Sequence, residues 1–383
     1  MAMDRLFQLM ADKKASDIFL SVGSPINIKI SGVTVPINQQ VMDGAGIQSL
    51  LAEILNERQM QQFEDTCELN IGYPVSGVGS FRISAFKQRG STGVVIRYIP
   101  YDIPALETLN LPPVLADLVM ERRGLILMVG ATGSGKSTSL AAMLDYRNEQ
   151  RSGHILTLED PIEFLFKSKK SIVNQREIGT DAKSLQIALK NALRQAPDTI
   201  LIGEIRDKDT MTAALAYGQS GQLVLATLHA NNAYHALNRV ISFYPLENRP
   251  ALLADLSTCV RAIVSQRLLK ARKGGRIPAC EVLVNTRYVA DLIQGGKIDE
   301  IKEAMEKSLA EGSVSFEQSL YKLIQDDLIT QEEAVAAADS ATNLLWLINN
   351  QGHAQAPAPK KEERLLPEAA DGGPSFKEFT LDV

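Results

Sequence analysis

The sequence predicts an α/β protein of two folded domains, and three observations carry that reading. Residues 105 to about 285 alternate buried apolar runs with helical segments, the signature of a mostly parallel sheet. Residues 1 to about 104 carry shorter strand candidates broken by glycine and proline turns, which marks a smaller α/β unit of their own. Between the two patterns, the apolar run Leu125 to Val129 passes through Gly130-Ala131-Thr132-Gly133-Ser134-Gly135-Lys136-Ser137-Thr138 into a helix-favouring segment, Leu140 to Leu144. Strand, glycine loop and helix in that order are what a phosphate-binding loop requires.

The chemistry explains the spacing of that loop. Gly130, Gly133 and Gly135 let the backbone curl so that successive N–H groups point at phosphate oxygens. The new helix adds its positive end to the same spot. Lys136 can reach the β- and γ-phosphates, and the Ser137 hydroxyl can ligate Mg²⁺. ATP and Mg²⁺ are therefore the expected cofactors. The plainer alternative, a glycine-rich turn in some other α/β fold, does not account for Lys-Ser-Thr in this place.

Composition narrows the class. A hydrophobic share of 45% with 22% charged residues is that of an ordinary globular chain. A net charge of −5 argues against a nucleic-acid surface as the main business, and no direct nucleic-acid partner is expected. No apolar run approaches a membrane span, and Met1 to Leu20 carries Asp4, Lys13, Lys14 and Asp17, which speaks against a signal peptide or anchor. Cys67, Cys259 and Cys280 are scattered, with no CxxC pair, and read as reduced packing residues of a cytoplasmic protein.

Along the first 104 residues, Asp4 to Ala11 has helical spacing, and Ile18 to Leu20 and Asn27 to Ile30 read as strands. Ala45 to Phe63 is one or two helices with Leu50, Leu51, Ile54 and Leu55 as the apolar stripe. Leu69 to Val75 opens a run of strands, and Ser80 to Phe86 with Thr92 to Ile99 form a hairpin around Gly90-Ser91. Ile99 to Pro104 reads as a linker. Beyond it, strands are expected at Leu125 to Val129, Ile155 to Leu158, Thr199 to Ile202, Leu223 to Thr227 and Ala279 to Val284. Helices are expected at Lys136 to Arg147, Ser184 to Arg194, Asp207 to Tyr217 and Ala233 to Phe243, with a longer one over Ala251 to Leu269. Arg287 to about Asn349 reads as helical with turns near Gly295-Gly296 and Gly312. Residues 350–383, rich in Ala, Pro and charge, lack a core-forming pattern and read as a disordered tail, although Phe376 to Leu381 regains apolar residues that suit a short docking motif.

Three further stretches carry chemistry. In Leu156-Thr157-Leu158-Glu159-Asp160-Pro161-Ile162-Glu163, acids follow a buried strand that Pro161 breaks, at the sheet edge where nucleotide and Mg²⁺ would sit. A carboxylate there can orient the attacking water, while a solvated acidic loop is the plainer reading. Thr199 to Ile202 runs through Gly203 into Glu204, a Walker-B-like ending whose acid would hold Mg²⁺ or its water. Leu223 to Leu228 ends in His229, which could hydrogen-bond the γ-phosphate or a strand-end carboxylate, with simple packing as the alternative. His154 and His235 have no such setting.

In that order, GATGSGKST, ILTLEDPIEF, ILIGEIRD and LATLHANNA resemble the Walker A, Asp box, Walker B and His box of secretion ATPases. More narrowly they resemble the type IV pilus retraction ATPase family, PilT/PilU, over residues 1 to about 349, including Ala15 to Leu20 and Phe81 to Ala85. The resemblance implies a PAS-like N-terminal domain (1–104), a RecA-like ATPase domain with C-terminal helices (105–349), and a homo-hexameric ring. It implies that Glu163 is the catalytic acid, Glu204 the Walker B acid, and His229 a sensor of nucleotide state. Arg82 and Arg97 match the arginines that close from the N-terminal domain onto the γ-phosphate, and Arg89 is a third candidate. Such arginine contacts are worth about 10³ to 10⁵ in rate in other phosphoryl-transfer enzymes.

Extension and type II secretion relatives carry a four-cysteine zinc loop and extra N-terminal domains, whereas here Leu268 to Ile277 is a compact basic turn and the chain opens on the PAS-like segment. Both favour the retraction class. Tyr288 to Gly295 departs from the charged AIRNLIRE-like helix of PilT, and Gln222 stands where a histidine is usual. The Tyr288 to Gly295 departure, with the long C-terminal end, points to the PilU branch, whereas the Gln222 departure is from both branches. The implied partners are a PilT-like retraction ATPase and an inner-membrane pilus platform protein, met at the inner face of the cytoplasmic membrane at the pilus base. The rivals are an ATP-binding adaptor, a nucleic-acid translocase, and an extension or secretion motor.

Overall fold

The computed structural model describes residues 2–350 except 31, 100–101 and 307–311; the expected tail and the Phe376 to Leu381 motif lie outside the described residues, as does part of the expected linker. The chain opens with α1 (Ala2–Asp12), which buries Met3, Phe7 and Met10 on one helical face. Then come β1 (Asp17–Leu20), β2 (Pro25–Ile30), β3 (Val33–Val41), α2 (Gly44–Ala52) and α3 (Glu57–Thr66). Asp43 caps α2 through the Gly46 N–H at 2.7 Å, and Asn56 with Gln59 forms a capping box on α3. Strands β4 (Glu68–Val75), β5 (Gly79–Gln88) and β6 (Ser91–Ile99) complete an antiparallel sheet of order β3-β2-β1-β6-β5-β4.

Alternation along that sheet separates two jobs. Phe81, Ile83, Val94 and Ile96 face the helices and form the core with Phe7 and Ile18. The opposite face carries Gly72, Arg82, Arg97 and Asp17 in one cross-strand row, each directly opposite the next. The predicted hairpin is present, and it puts both arginines side by side.

After a short turn of 3-10 helix (Leu106–Leu109), the second unit runs α4 (Val114–Val119), β7 (Gly124–Val129), α5 (Lys136–Gln150), β8 (Gly153–Glu159), β9 (Ser171–Glu177), α6 (Leu185–Ala192), β10 (Thr199–Ile202), α7 (Lys208–Gln219), β11 (Leu223–Leu228) and α8 (Ala233–Ser242). It continues through α9 (Arg249–Cys259), β12 (Val260–Lys270) and β13 (Arg276–Val284) into helices α10 (Arg287–Gln294), α11 (Ile298–Glu306), α12 (Phe316–Gln325), α13 (Gln331–Ala337) and α14 (Ala341–Asn350). The sheet order is β13-β12-β7-β11-β10-β8-β9, parallel except for the β12–β13 pair. Strands β7, β10 and β11 are buried at every residue, as strands covered by helices on both faces must be. Because β7, β8, β10 and β11 run parallel, their carboxyl ends share one edge, where an open α/β sheet binds its ligand.

The structure corrects one expectation and adds two strands. The expected helix over Ala251 to Leu269 stops at Cys259 and continues as β12. Val260, Ala262, Ile263 and Val264 are all buried between β7 and β13, and a fully apolar run looks alike as buried helix or buried strand. Strands β3 and β9, absent from the sequence reading, are both sheet edges with mostly exposed or half-exposed residues. Without a buried face they have little alternation to read.

Candidate active site

The glycine loop leaves β7 at the shared edge. Gly130, Gly133 and Gly135 have φ of +150°, +78° and +87°, a region that side chains disfavour. A Cβ on Gly130 would lie 2.5 Å from the Gln266 carbonyl oxygen, and one on Gly135 would lie 2.7 Å from Gln266 Nε2. Gln266, buried on β12, ties the loop down from behind. Its Nε2 donates to the Ser134 carbonyl at 2.8 Å, and its Oε1 accepts from Ser139 Oγ at 2.7 Å. Thr132, Gly133, Lys136 and Ser137 line a cleft of about 530 Å³, within the usual range for small-molecule sites. Gly130, Ala131, Ser134, Gly135 and Thr138 complete the loop around them.

Lys136 is buried at the base, with Nζ donating to the Gly130 and Ala131 carbonyls at 2.9 and 2.8 Å. Burial pushes its ammonium pKa down, and the facing carboxylates Glu204 and Glu163 push it back up. An anionic phosphate would act in the same direction as those acids, so the pocket suits a polyanion at this lysine.

Glu159, Asp160 and Glu163 all line the cleft from the end of β8. Burial raises the Glu159 carboxyl above the usual range, against hydrogen bonds from Thr157 at 2.6 Å and Gln175 at 3.2 Å. Glu163 sits exposed on the cleft wall, on a loop anchored where the Ile162 N–H donates to Glu177 Oε2 at 3.1 Å. Glu204 is held from both sides, with His229 Nε2 3.0 Å from Oε1 and the Arg206 guanidinium 2.6 Å from Oε2. The Walker-B-like acid and the strand-end histidine of the sequence reading are therefore in direct contact.

Arg82 lines the same cleft from β5 of the first sheet. Its cross-strand neighbour Arg97 does not line it; Arg97 Nε instead donates to Asp17 Oδ1 at 2.9 Å, with 62% of its side chain exposed. Arg89 lies at the β5–β6 turn with φ +49°, away from the lining residues. Gln222 precedes β11, at the amino end of the sheet and one strand length from the loop, where its backbone pairs with Gly124. Four residues that the sequence reading passed over serve the site: Arg206, Gln175, Glu177 and Gln266. Arg206 was within reach as the neighbour of Glu204. The other three lie on β9 and β12, the strands that were missed.

Among the described residues, no group of three or more His, Cys, Asp or Glu side chains could hold a metal ion. The oxygens offered are the Ser137 hydroxyl and carboxylates, hard donors that suit Mg²⁺ shared with nucleotide phosphates rather than a protein-only cage.

A lysine-bearing glycine loop facing strand-end acids, with an arginine from a second sheet on the far wall, defines a P-loop ATPase with a two-sheet cleft. Within that class the chain belongs to the family of type II/IV secretion system proteins, which matches residues 3–295. It is 44% identical to the type IV pilus ATPase PilU of Pseudomonas aeruginosa over 349 residues, 91% of each chain. Identity to the type IV pilus retraction ATPase PilT of the same organism is 38% over 87% of this chain and 97% of that one. Among solved structures, the pilus retraction motor PilT with bound ADP superposes with a TM-score of 0.83 at 38% identity, covering 89% of this chain and 99% of that one. The Legionella pneumophila ATPase DotB follows at 0.78 and 26% identity, over 88% and 96%. The expected family and fold class, and the preference for the PilU branch, agree with these likenesses.

Proposed function

We propose that this chain is a cytoplasmic ATPase that assists type IV pilus retraction, working as a homo-hexamer beside a PilT-like ring. The observation that carries the proposal is the reach of Arg82, from the first sheet, into the cleft that holds Lys136, Glu163 and Glu204. Nucleotide placed there touches both units, so its hydrolysis can change how they sit. Glu163 orients the attacking water, and Arg82 stabilises charge on the γ-phosphoryl oxygens, joined by Arg97 once it leaves Asp17. Ser137 and Glu204 would hold Mg²⁺, Glu204 partly through water, and the ion would neutralise charge on the β- and γ-oxygens. His229, bonded to Glu204, moves with that carboxylate and passes the change to the loop that starts α8.

The domain division of 1–104 and 105–349 belongs to this reading. Dependence on a partner ring is supported by α10, whose exposed residues Arg287, Tyr288, Asp291 and Gln294 carry one charge of each sign rather than a charged face. Among the described residues no helix is long and apolar enough to cross a membrane. On this reading the inner-membrane platform protein is met at its cytoplasmic face. Deleting the gene tests the reading. Pili that remain on the surface but no longer retract support it, and cells without pili would instead assign the chain to extension.

A further inference from the structure

Glu177 is a buried carboxylate at the end of β9 with no cation paired to it among the described residues. Its side chain is held by neutral donors from three places. Oε2 accepts the Ile162 N–H at 3.1 Å, next to Glu163. Oε1 accepts Thr180 Oγ1 at 3.0 Å from its own turn, and the Gly72 N–H at 3.3 Å from β4 of the first sheet. Gly72 is the cross-strand neighbour of Arg82. One carboxylate thus joins the strand neighbour of the arginine to the sequence neighbour of the acid.

Position 72 meets this carboxylate at close quarters. Gly72 is not among the residues with positive φ, so its backbone does not call for glycine. A Cβ there would lie 2.9 Å from Glu177 Oε2 and 3.2 Å from Oε1, so a larger residue would push the carboxylate off its bond to the Gly72 N–H. A buried carboxylate is costly unless its oxygens are satisfied, so this contact is either made well or broken outright. Such all-or-none contacts suit a joint between two bodies that must meet in a defined register.

We propose that Glu177 is a positioning residue that sets the register of the first sheet against the acid loop, bringing Arg82 and Glu163 onto the same nucleotide together. The inference rests on the reading that those two residues act on the γ-phosphoryl group. Glu177 touches no reacting atom, and its effect belongs in kcat and not in nucleotide binding, which the glycine loop supplies.

Full-length protein carrying Glu177→Ala, Glu177→Gln, Gly72→Ala or Glu177→Ala with Gly72→Ala tests this by steady-state ATP hydrolysis and by titration of a fluorescent ADP analogue. A misplacement of about 1 Å costs about 10²-fold in rate. Glu177→Ala should therefore lose about 10- to 100-fold in kcat while KM and ADP affinity stay within about threefold. Glu177→Gln, with one oxygen left to accept, should fall between the alanine variant and wild type. Gly72→Ala should lose rate alone but add nothing to Glu177→Ala, because the crowded carboxylate is gone; two independent structural defects would multiply. Should Glu177→Ala fail to bind ADP, Glu177→Gln and Gly72→Ala carry the test. Wild-type kcat in either, or a KM rise that matches the kcat loss, overturns the inference. Controls with Glu163→Gln and Arg82→Ala separate the two levels. If both controls turn over like wild type, the catalytic reading has failed; if both are slow while the Glu177 and Gly72 variants are normal, only the positioning role has.

Discussion

Truncating Gln266 to alanine should loosen the phosphate loop without touching any residue of the cleft. Gln266 is buried, and its amide makes two bonds, to the Ser134 carbonyl at 2.8 Å and from Ser139 Oγ at 2.7 Å. In Gln266→Ala the Ser139 hydroxyl can turn to the Gly135 carbonyl one helical turn back, so its loss is small. The Ser134 carbonyl has no such substitute. A buried acceptor left unsatisfied costs about 1–3 kcal/mol, and the vacated amide volume adds a smaller cavity cost. The total is about 2–3 kcal/mol, concentrated on the loop that must hold phosphate. Converted at about 1.4 kcal/mol per decade, ADP affinity should fall about 10- to 100-fold, and the melting temperature should drop by several degrees. Titration of a fluorescent ADP analogue and thermal unfolding measure the two. Gln266→Glu keeps the acceptor for Ser139 but faces the Ser134 carbonyl with an oxygen, so it should bind no better than the alanine variant. If Gln266→Ala binds ADP like wild type and melts at the same temperature, the loop does not depend on β12.

Two further outcomes follow from side chains outside the cleft centre. Glu281 is buried on β13, where it accepts from the Ala233 N–H and from Ser265, with Asp339 and Glu317 adding like charge; burial, the larger cause, pushes its carboxyl up to about 7. A folded pKa above the unfolded one means that stability from this group is present at low pH and is lost as pH rises from about 4.5 towards 7. The melting temperature of wild type relative to Glu281→Gln should therefore fall across that window, and a constant difference would contradict it. Arg97→Ala should slow hydrolysis and also lower stability by about 1–3 kcal/mol, since it leaves the buried Asp17 carboxylate without its partner although the arginine itself is largely exposed. Asp17→Ala, which frees Arg97, should not slow hydrolysis, and a loss of rate equal to that of Arg97→Ala would remove the swinging role.

What could be read beforehand follows from burial. Strands β7, β8, β10 and β11 are covered on both faces, so they appear as unbroken apolar runs, and the polar residue that ends each one is conspicuous. Glu204 and His229 were visible for that reason, Lys136 through the glycine loop that follows β7, and Glu163 as one of the acids past β8 whose role the family resemblance implied. Arg82 and Arg97 alternate with Phe81, Ile83 and Ile96 in a hairpin whose register is set by its turn, so their pairing was within reach as well. Gln175 and Glu177 belong to an edge strand with polar residues on both faces, and Gln266 to a run whose apolar character fits helix or strand equally. Their work is long-range, joining residues 105 and 132 positions apart, and no local pattern marks that. Gln222 stands out by its departure from the family histidine, and its place at the amino end of the sheet, away from the cleft, agrees with a departure that leaves hydrolysis untouched.

The claim on which everything else depends is that nucleotide is sensed from both sheets at once. ATP turnover and ADP affinity measured on Arg82→Ala, beside wild type and Glu163→Gln, test it most directly. The account predicts turnover by wild type above Glu163→Gln, and a loss of about 10³-fold or more in Arg82→Ala with ADP affinity nearly unchanged. Wild-type turnover in Arg82→Ala would contradict it.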